Sequence, residues 1–124
     1  MDTQTGDDIA VFVVWSDQVG GAPRYVPEAA ALMPDRRARH YWDGRRVMGN
    51  AYRILETETE TIDLGTEAWD VWLLFDRNAI WEASGPPRAA WWEHQLQIPP
   101  PERMLDSARF ARKAAMLEGA RAPR

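Results

Sequence analysis

The sequence contains no cysteine, which excludes disulfides, thiolate metal ligands and thiol redox chemistry. It has no apolar run long enough to cross a bilayer, so we expect no membrane association. Residues 1–8 are polar and acidic and lack the basic and apolar regions of a signal peptide. Together these absences predict a protein of a reducing compartment, by default the cytoplasm.

The chain also has no excess of basic over acidic residues. The net charge of -4 and the sequence pI of about 5.1 argue against generic attraction to nucleic acid or anionic lipid. Arginines interleaved with aromatic residues over 36–46 superficially suit nucleic acid, where cations neutralise phosphate and rings stack on bases. Because the chain as a whole is acidic, we expect these arginines to be solvated or to pair with acidic residues of a second subunit.

The length and the apolar content predict one folded domain. A chain of 124 residues with 45% hydrophobic residues and seven tryptophans can bury an ordinary core. We place this single domain at residues 9–118, and we predict a flexible N-terminus over 1–8 and a flexible tail over 119–124.

The first half of the chain reads as strand, helix, strand. Residues 9–15, IAVFVVW, have the continuous β-branched and aromatic pattern of a central strand covered on both faces. A short helix is expected to begin near Pro27 and to end before Pro34. Residues 38–42 are too few for a helix between Pro34 and Gly44, so they predict a short strand.

A second helix is predicted over 44–55, with Asp43 as its cap. Gly49 costs that helix about 1 kcal/mol relative to alanine, so the glycine either has a packing reason or marks a weak point of the helix. The run ETETET over 56–61 alternates Glu and Thr, which is typical of a charged edge or a loose loop.

The second half reads as a hairpin followed by helices. Two apolar runs within 68–83 flank the connection 76–78, which predicts a β-hairpin. A short helix is predicted over 88–96, and the 3.6-residue apolar period predicts the last helix over 102–118. The resulting order, β-α-β-α-β-β-α, predicts an α/β fold with a central mixed sheet and helices on both faces.

Two runs carry a family resemblance. ARHYWDGRRVMGNAYRI resembles the strand, turn and helix of thioredoxin-like proteins of the peroxiredoxin and thiol-reductase kind, and WDVWLLFDRNAIW resembles the hairpin that follows. The run 92–96 resembles uncharacterised members of the same superfamily. The resemblance spans about residues 9–118 and implies a thioredoxin-like fold.

The chain also departs from that family. The resemblance implies a cysteine-bearing strand and helix before Ile9, where only residues 1–8 stand, and Thr66, Glu67 and Ala68 occupy the place of the family's cis-proline. We therefore expect a truncated, non-redox form with no catalytic residue and no cofactor. Its first strand would have a bare side, which predicts a homodimer with either a continued sheet or helices packed over the gap.

The candidate site residues are the two histidines and their aromatic and acidic neighbours. His40 and His94 could act as acid and base or bind a ligand, but no HxH or HExxH pattern supports a metal site. The alternative is that each is a hydrogen-bonded core residue. The candidate binding set is Trp42, Asp43, Trp91, Trp92, Glu93, His94 and His40.

The tryptophans allow two interpretations. They could line an apolar small-molecule pocket, or they could belong to the core, with Trp69 and Trp81 paired across the hairpin. Trp91 and Trp92 cannot both face inward from one helix, so we expect at least one to meet solvent, a ligand or a partner.

Three functions follow, in order of preference. The first is a non-enzymatic, thioredoxin-like binding or interaction module that acts as a homodimer. The second is a small-molecule-binding protein or enzyme with a Trp-lined pocket that uses His40 or His94 and nearby carboxylates. The third, nucleic-acid binding through the arginine cluster, ranks last because of the net negative charge.

Overall fold

The chain folds into a mixed α/β structure, seen in a computed structural model that describes residues 9–97 and 99–119. Within these residues there are three α-helices and three separate two-stranded sheets. The α/β class is therefore confirmed, whereas the thioredoxin-like arrangement around one central sheet is not. Apart from Gly119, the predicted flexible ends lie outside the described residues.

The first sheet pairs strand β1 (Val11–Trp15) in parallel with strand β2 (Ala38–Trp42). Helix α1 (Val26–Ala31) lies between them in sequence and ends before Pro34, as predicted. The predicted strand over 38–42 is confirmed. The prediction that the first strand is covered on both faces is wrong, because its residues alternate between half-buried and exposed and β2 is its only strand neighbour in the described chain.

Helix α2 (Val47–Ala51) is shorter than the predicted helix over 44–55. The chain leaves the helix because Leu55 is almost completely buried in strand β3 (Ile54–Glu56), opposite Ile62 of strand β4 (Thr61–Asp63). The ETETET run spans the turn of this antiparallel pair, where the Thr57 N–H donates to the Glu60 carbonyl at 2.9 Å.

The third sheet corrects two predictions. Strand β5 (Val71–Leu74) pairs antiparallel with strand β6 (Trp91–His94), so residues 88–96 do not form a helix. The predicted hairpin over 68–83 is also wrong. The turn itself forms, since Asp76 accepts hydrogen bonds from the backbone of Asn78 and Ala79, but the chain beyond the turn does not pair back onto β5. Because this hairpin does not form, strand pairing does not bring Trp69 and Trp81 together.

The buried core joins the second and third sheets. Tyr52, Leu55, Leu64 and Trp92 form one cluster, against which half-buried residues such as Val71 pack. Burial raises the pKa of Tyr52 to about 12, because ionised phenolate loses its hydration there. No residue of the first sheet belongs to this cluster, which leaves β1 and β2 at the periphery of the core.

Helix α3 (Ser107–Gly119) begins later than the predicted helix over 102–118. A 3₁₀ turn, Pro101–Arg103, precedes it, and Asp106 starts the helix by accepting the Arg109 N–H at 3.0 Å. In the part of the chain described, none of the helices combines the length and the apolar character needed to cross a membrane.

Candidate functional site

The predicted site residues fall into two groups on different sheets. His40, Trp42 and Asp43 lie on or just after β2, whereas Trp91, Trp92, Glu93 and His94 make up β6. Within residues 9–97 and 99–119, no hydrogen bond, ion pair or ring contact joins the two groups. Each group is therefore described separately below.

The Glu93 carboxylate is completely buried and fully hydrogen-bonded. Its Oε1 accepts from Arg109 Nε at 2.7 Å and from Trp91 Nε1 at 3.0 Å, and its Oε2 accepts from the Asp106 N–H at 2.7 Å. Burial works to raise the pKa of Glu93, but the hydrogen bonds from Arg109, Asp106 and Trp91 outweigh it and hold the pKa below its ordinary value. Glu93 thus anchors α3 to β6.

His94 is also completely buried, and both ring nitrogens are occupied. The Leu96 N–H donates to Nδ1 at 3.0 Å, so the ring proton sits on Nε2 and is donated to the Pro100 carbonyl at 2.8 Å. Neither nitrogen is open to a ligand. The described residues also hold no group of three or more His, Asp or Glu side chains that could bind a metal.

Sequence reasoning missed the polar partners of the two β6 tryptophans. Trp92 is completely buried and donates from Nε1 to Glu60 Oε1 at 3.0 Å, and Arg103 hydrogen-bonds the same carboxylate. Arg103 also lies 4.0 Å from the centre of the Trp91 ring, and Lys113 Nζ lies 4.1 Å from it. No local motif marks Glu60 or Arg103, because their contacts span long separations in sequence.

The β2 group is likewise engaged within the chain. Trp15 Nε1 donates to His40 Nδ1 at 3.1 Å, and the two rings stack with centres 6.0 Å apart. Asp43 accepts the N–H groups at the start of α2, at 2.7 Å from Val47 and 2.9 Å from Met48. The predicted capping role of Asp43 is confirmed, and this carboxylate is committed to the helix.

The outer face of the first sheet, opposite the stacked Trp15 and His40 rings, exposes three apolar or aromatic side chains beside the charged Arg39. Phe12 is 59% exposed, Val14 36% and Tyr41 49%, and the rings of Phe12 and Tyr41 lie 6.3 Å apart. Beside them is a recess of about 310 Å³. Its lining is formed by Phe12, Val14, Tyr41, Trp42, Asp43 and Met48. The sequence predicts a bare side of the first strand, but Tyr41 is not in the candidate binding set.

Two arginines of the basic cluster form ion pairs inside the chain. Arg37 pairs with Asp35 at 2.6 Å, and Arg46 pairs with Asp17 at 2.8 Å and with Glu67 at 2.7 Å. The hydrogen bond from Arg46 holds the pKa of Asp17 below its ordinary value. Arg39 and Arg45 are exposed and have no ion-pair partner in the described chain.

No protein-family model, curated protein or solved structure matches the chain.

Proposed function

We propose that this chain is a non-redox interaction module that self-associates as a homodimer through its first sheet. The finer assignment to a truncated thioredoxin-like protein is part of the proposal and derives from the sequence motifs alone. The observation that carries the proposal is the exposure of Phe12 and Val14 on a strand without a single charged residue.

The exposed residues form a continuous patch. Phe12 and Val14 lie on the same side of β1, because side chains two residues apart point to the same face of a strand. Tyr41 is directly opposite Val14 in the register of the sheet. Contiguous apolar patches on soluble proteins mark interaction sites more often than isolated apolar residues do. The patch therefore supports a protein-binding role.

The buried polar residues support a structural role rather than catalysis. Glu93 and His94 have no exposed atoms, and their hydrogen-bonding groups contact backbone or side chains of the same chain. A catalytic group has to reach its substrate within hydrogen-bonding distance. We therefore do not assign acid, base or nucleophile roles to them.

The test is the solution mass measured by light scattering during size-exclusion chromatography. We expect the wild type to have twice the chain mass of 14.2 kDa across about a hundredfold range of protein concentration, with dissociation only at the dilute end. Phe12→Asp should shift the equilibrium to the monomer, because it places a charge in the patch. The matched control is Leu32→Asp, which adds the same charge at a residue that is 84% exposed outside the patch. A wild type that is monomeric at every concentration would overturn the proposal.

The recess beside the patch favours a second candidate function, the binding of a small apolar molecule. Its lining includes Tyr41, Trp42 and Met48, and small-molecule sites are typically apolar with few polar groups. Titration with the neutral dye Nile red, followed by dye fluorescence, tests this candidate. Binding should be lost in Tyr41→Ala and retained in Tyr25→Ala, which removes an equally exposed tyrosine elsewhere. Equal binding to both variants would eliminate the recess as a site.

A further inference from the structure

We infer that the homodimer forms by antiparallel pairing of β1 with β1 of a second copy, with the two-fold axis at Val13. This inference rests on the proposed self-association and specifies its geometry. The partner is a second copy of this chain, and the contact is the free backbone edge of β1 together with the side chains next to it.

The backbone of β1 has one paired edge and one free edge. Val11 N–H donates to the Arg37 carbonyl at 3.2 Å, and the Trp15 carbonyl accepts from the Asp43 N–H at 2.7 Å. Because backbone groups alternate direction along a strand, Val11, Val13 and Trp15 face β2, and Phe12 and Val14 direct their N–H and C=O groups the other way. No strand in the described chain pairs with that outward edge.

The free edge lacks the usual protection against pairing. Edge strands commonly carry a charge, a proline or a bulge that prevents association with another chain. β1 reads Val-Phe-Val-Val-Trp and contains none of these. The other edge of the sheet, on β2, has the exposed and charged Arg39 within the strand, which is a common protection against edge pairing. Of the two edges, β1 is the one suited to self-pairing.

An axis at Val13 satisfies every free backbone group of the edge. It places Phe12 opposite the partner's Val14, and these two residues exchange both backbone hydrogen bonds, as hydrogen-bonded antiparallel pairs do. Val13 lies opposite the partner's Val13 in the closer, non-hydrogen-bonded position. The Phe12 ring and the partner's Val14 then lie side by side on the outer face, which buries part of the exposed apolar surface.

The charge of Arg39, which has no ion-pair partner among the described residues, disfavours the alternative of two outer faces packed against each other. Arg39 is opposite Phe12 in the register and is exposed on the same face. Face-to-face packing would remove the Arg39 guanidinium of each copy from water. Because no acidic residue of the described chain pairs with Arg39, this desolvation would be costly. Pairing at the β1 edge extends the sheet and leaves Arg39 hydrated.

Single cysteines test the register, because the chain has none of its own. In the inferred dimer the Val13 Cα atoms are about 4.5 Å apart, which a disulfide spans. Val13→Cys should therefore form a covalent dimer under mild oxidation. The matched control is Val11→Cys, also a half-buried valine of β1. Its Cα atoms would be about 14 Å apart, four residues along the strand, so it should stay uncrosslinked. Equal crosslinking of the two variants, or crosslinking only of Val11→Cys, would overturn the register.

A second pair of variants keeps the inference testable if the cysteine variant does not fold. Val14→Pro removes an outward N–H without touching the bonds between β1 and β2, whereas Val14→Thr keeps the N–H and the branched side chain. We expect Val14→Thr to remain dimeric and Val14→Pro to be monomeric with a native circular dichroism spectrum. A folded, dimeric Val14→Pro would overturn the edge pairing while leaving the homodimer intact, and a monomeric wild type would overturn the homodimer itself.

Discussion

Glu93 and Arg109 form an ion pair in which Arg109 Nε lies 2.7 Å from Oε1 of a completely buried carboxylate. The pair joins β6 to the first turn of α3. Helix α3 has no fully buried residue of its own, so its position depends strongly on this contact and on the bond from the Asp106 N–H to the same carboxylate. The ion pair therefore positions the C-terminal helix.

The first prediction is that Arg109→Met destabilises the fold and clearly lowers the urea midpoint, because removing one partner leaves a buried carboxylate without its counter-charge. The measurement is urea unfolding followed by tryptophan fluorescence. The control is Arg112→Met on an exposed position of the same helix, which should change the unfolding free energy by less than about 0.5 kcal/mol. Similar losses in both variants would show that Arg109 acts only through general helix stability.

The second prediction concerns acid. The folded pKa of Glu93 is below its ordinary value, so the unfolded chain takes up the proton first as the pH falls. The stabilisation from ionised Glu93 is thus fully present above about pH 5 and is lost as the pH falls through the folded pKa. We expect the difference in unfolding free energy between wild type and Glu93→Gln to be largest near neutral pH and to shrink below pH 5.

This comparison cancels the carboxylates that do not contact Glu93. Asp17 and Asp35 also have lowered pKa values, and they contribute acid sensitivity of the same sign in both proteins. Two stability curves that run parallel from pH 7 down to about pH 3 would contradict the assignment to Glu93.

Local signals in the sequence predicted several elements well. Residues 38–42 were correctly predicted as a strand because Pro34 and Gly44 leave no room for a helix. Asp43 was correctly identified as a cap because its partners are the next few amides along the chain. In these cases the signal in the sequence lies within a few residues of the element, even though β2 itself pairs with the distant β1.

Contacts that are distant in sequence account for the failures. The prediction of a helix at β6 is wrong. The strand is stabilised by the burial of Trp92 opposite Leu73, and this packing between separated segments leaves no local signal in the sequence. The turn at 76–78 is predicted correctly, yet the strand that pairs with β5 is β6 and not the segment just after the turn. Glu93 and His94 are both predicted site residues and are neighbours on β6. The carboxylate of Glu93 is occupied by Arg109 and Asp106, which are distant in sequence, whereas the ring of His94 is occupied by the nearby Leu96 and Pro100.

The third prediction concerns Asp43. Asp43→Ala should destabilise the protein by about 1 kcal/mol, since α2 loses a carboxylate that accepts its first free N–H groups. This corresponds to a decrease in melting temperature of about 4 °C for a domain of this size. Asp43→Asn, which keeps one acceptor, should lose less. Glu58→Ala, at an exposed turn position, is the control and should melt with the wild type; equal losses in Asp43→Ala and Glu58→Ala would contradict a capping effect.

The fourth prediction concerns Gly49, where helix propensity and packing oppose each other. Alanine would favour the helix by about 1 kcal/mol. Its Cβ, however, would lie 3.2 Å from the Ala68 carbonyl oxygen and 3.3 Å from Glu67 Cβ. Those atoms are held in place, because the Ala68 N–H donates to the Gly49 carbonyl at 2.8 Å and Arg46 holds the Glu67 carboxylate.

Overpacking a site that cannot relax costs about 1 to 3 kcal/mol, so Gly49→Ala should be less stable than wild type by about 1 kcal/mol in urea unfolding. Asn50→Ala is the matched control, since Asn50 is the exposed neighbour in the same helix. There alanine meets no obstacle, and the variant should gain about 0.5 kcal/mol from propensity alone. If both variants were stabilised, the segment at Glu67 and Ala68 would have moved away from α2, and packing would not be the reason for glycine at position 49.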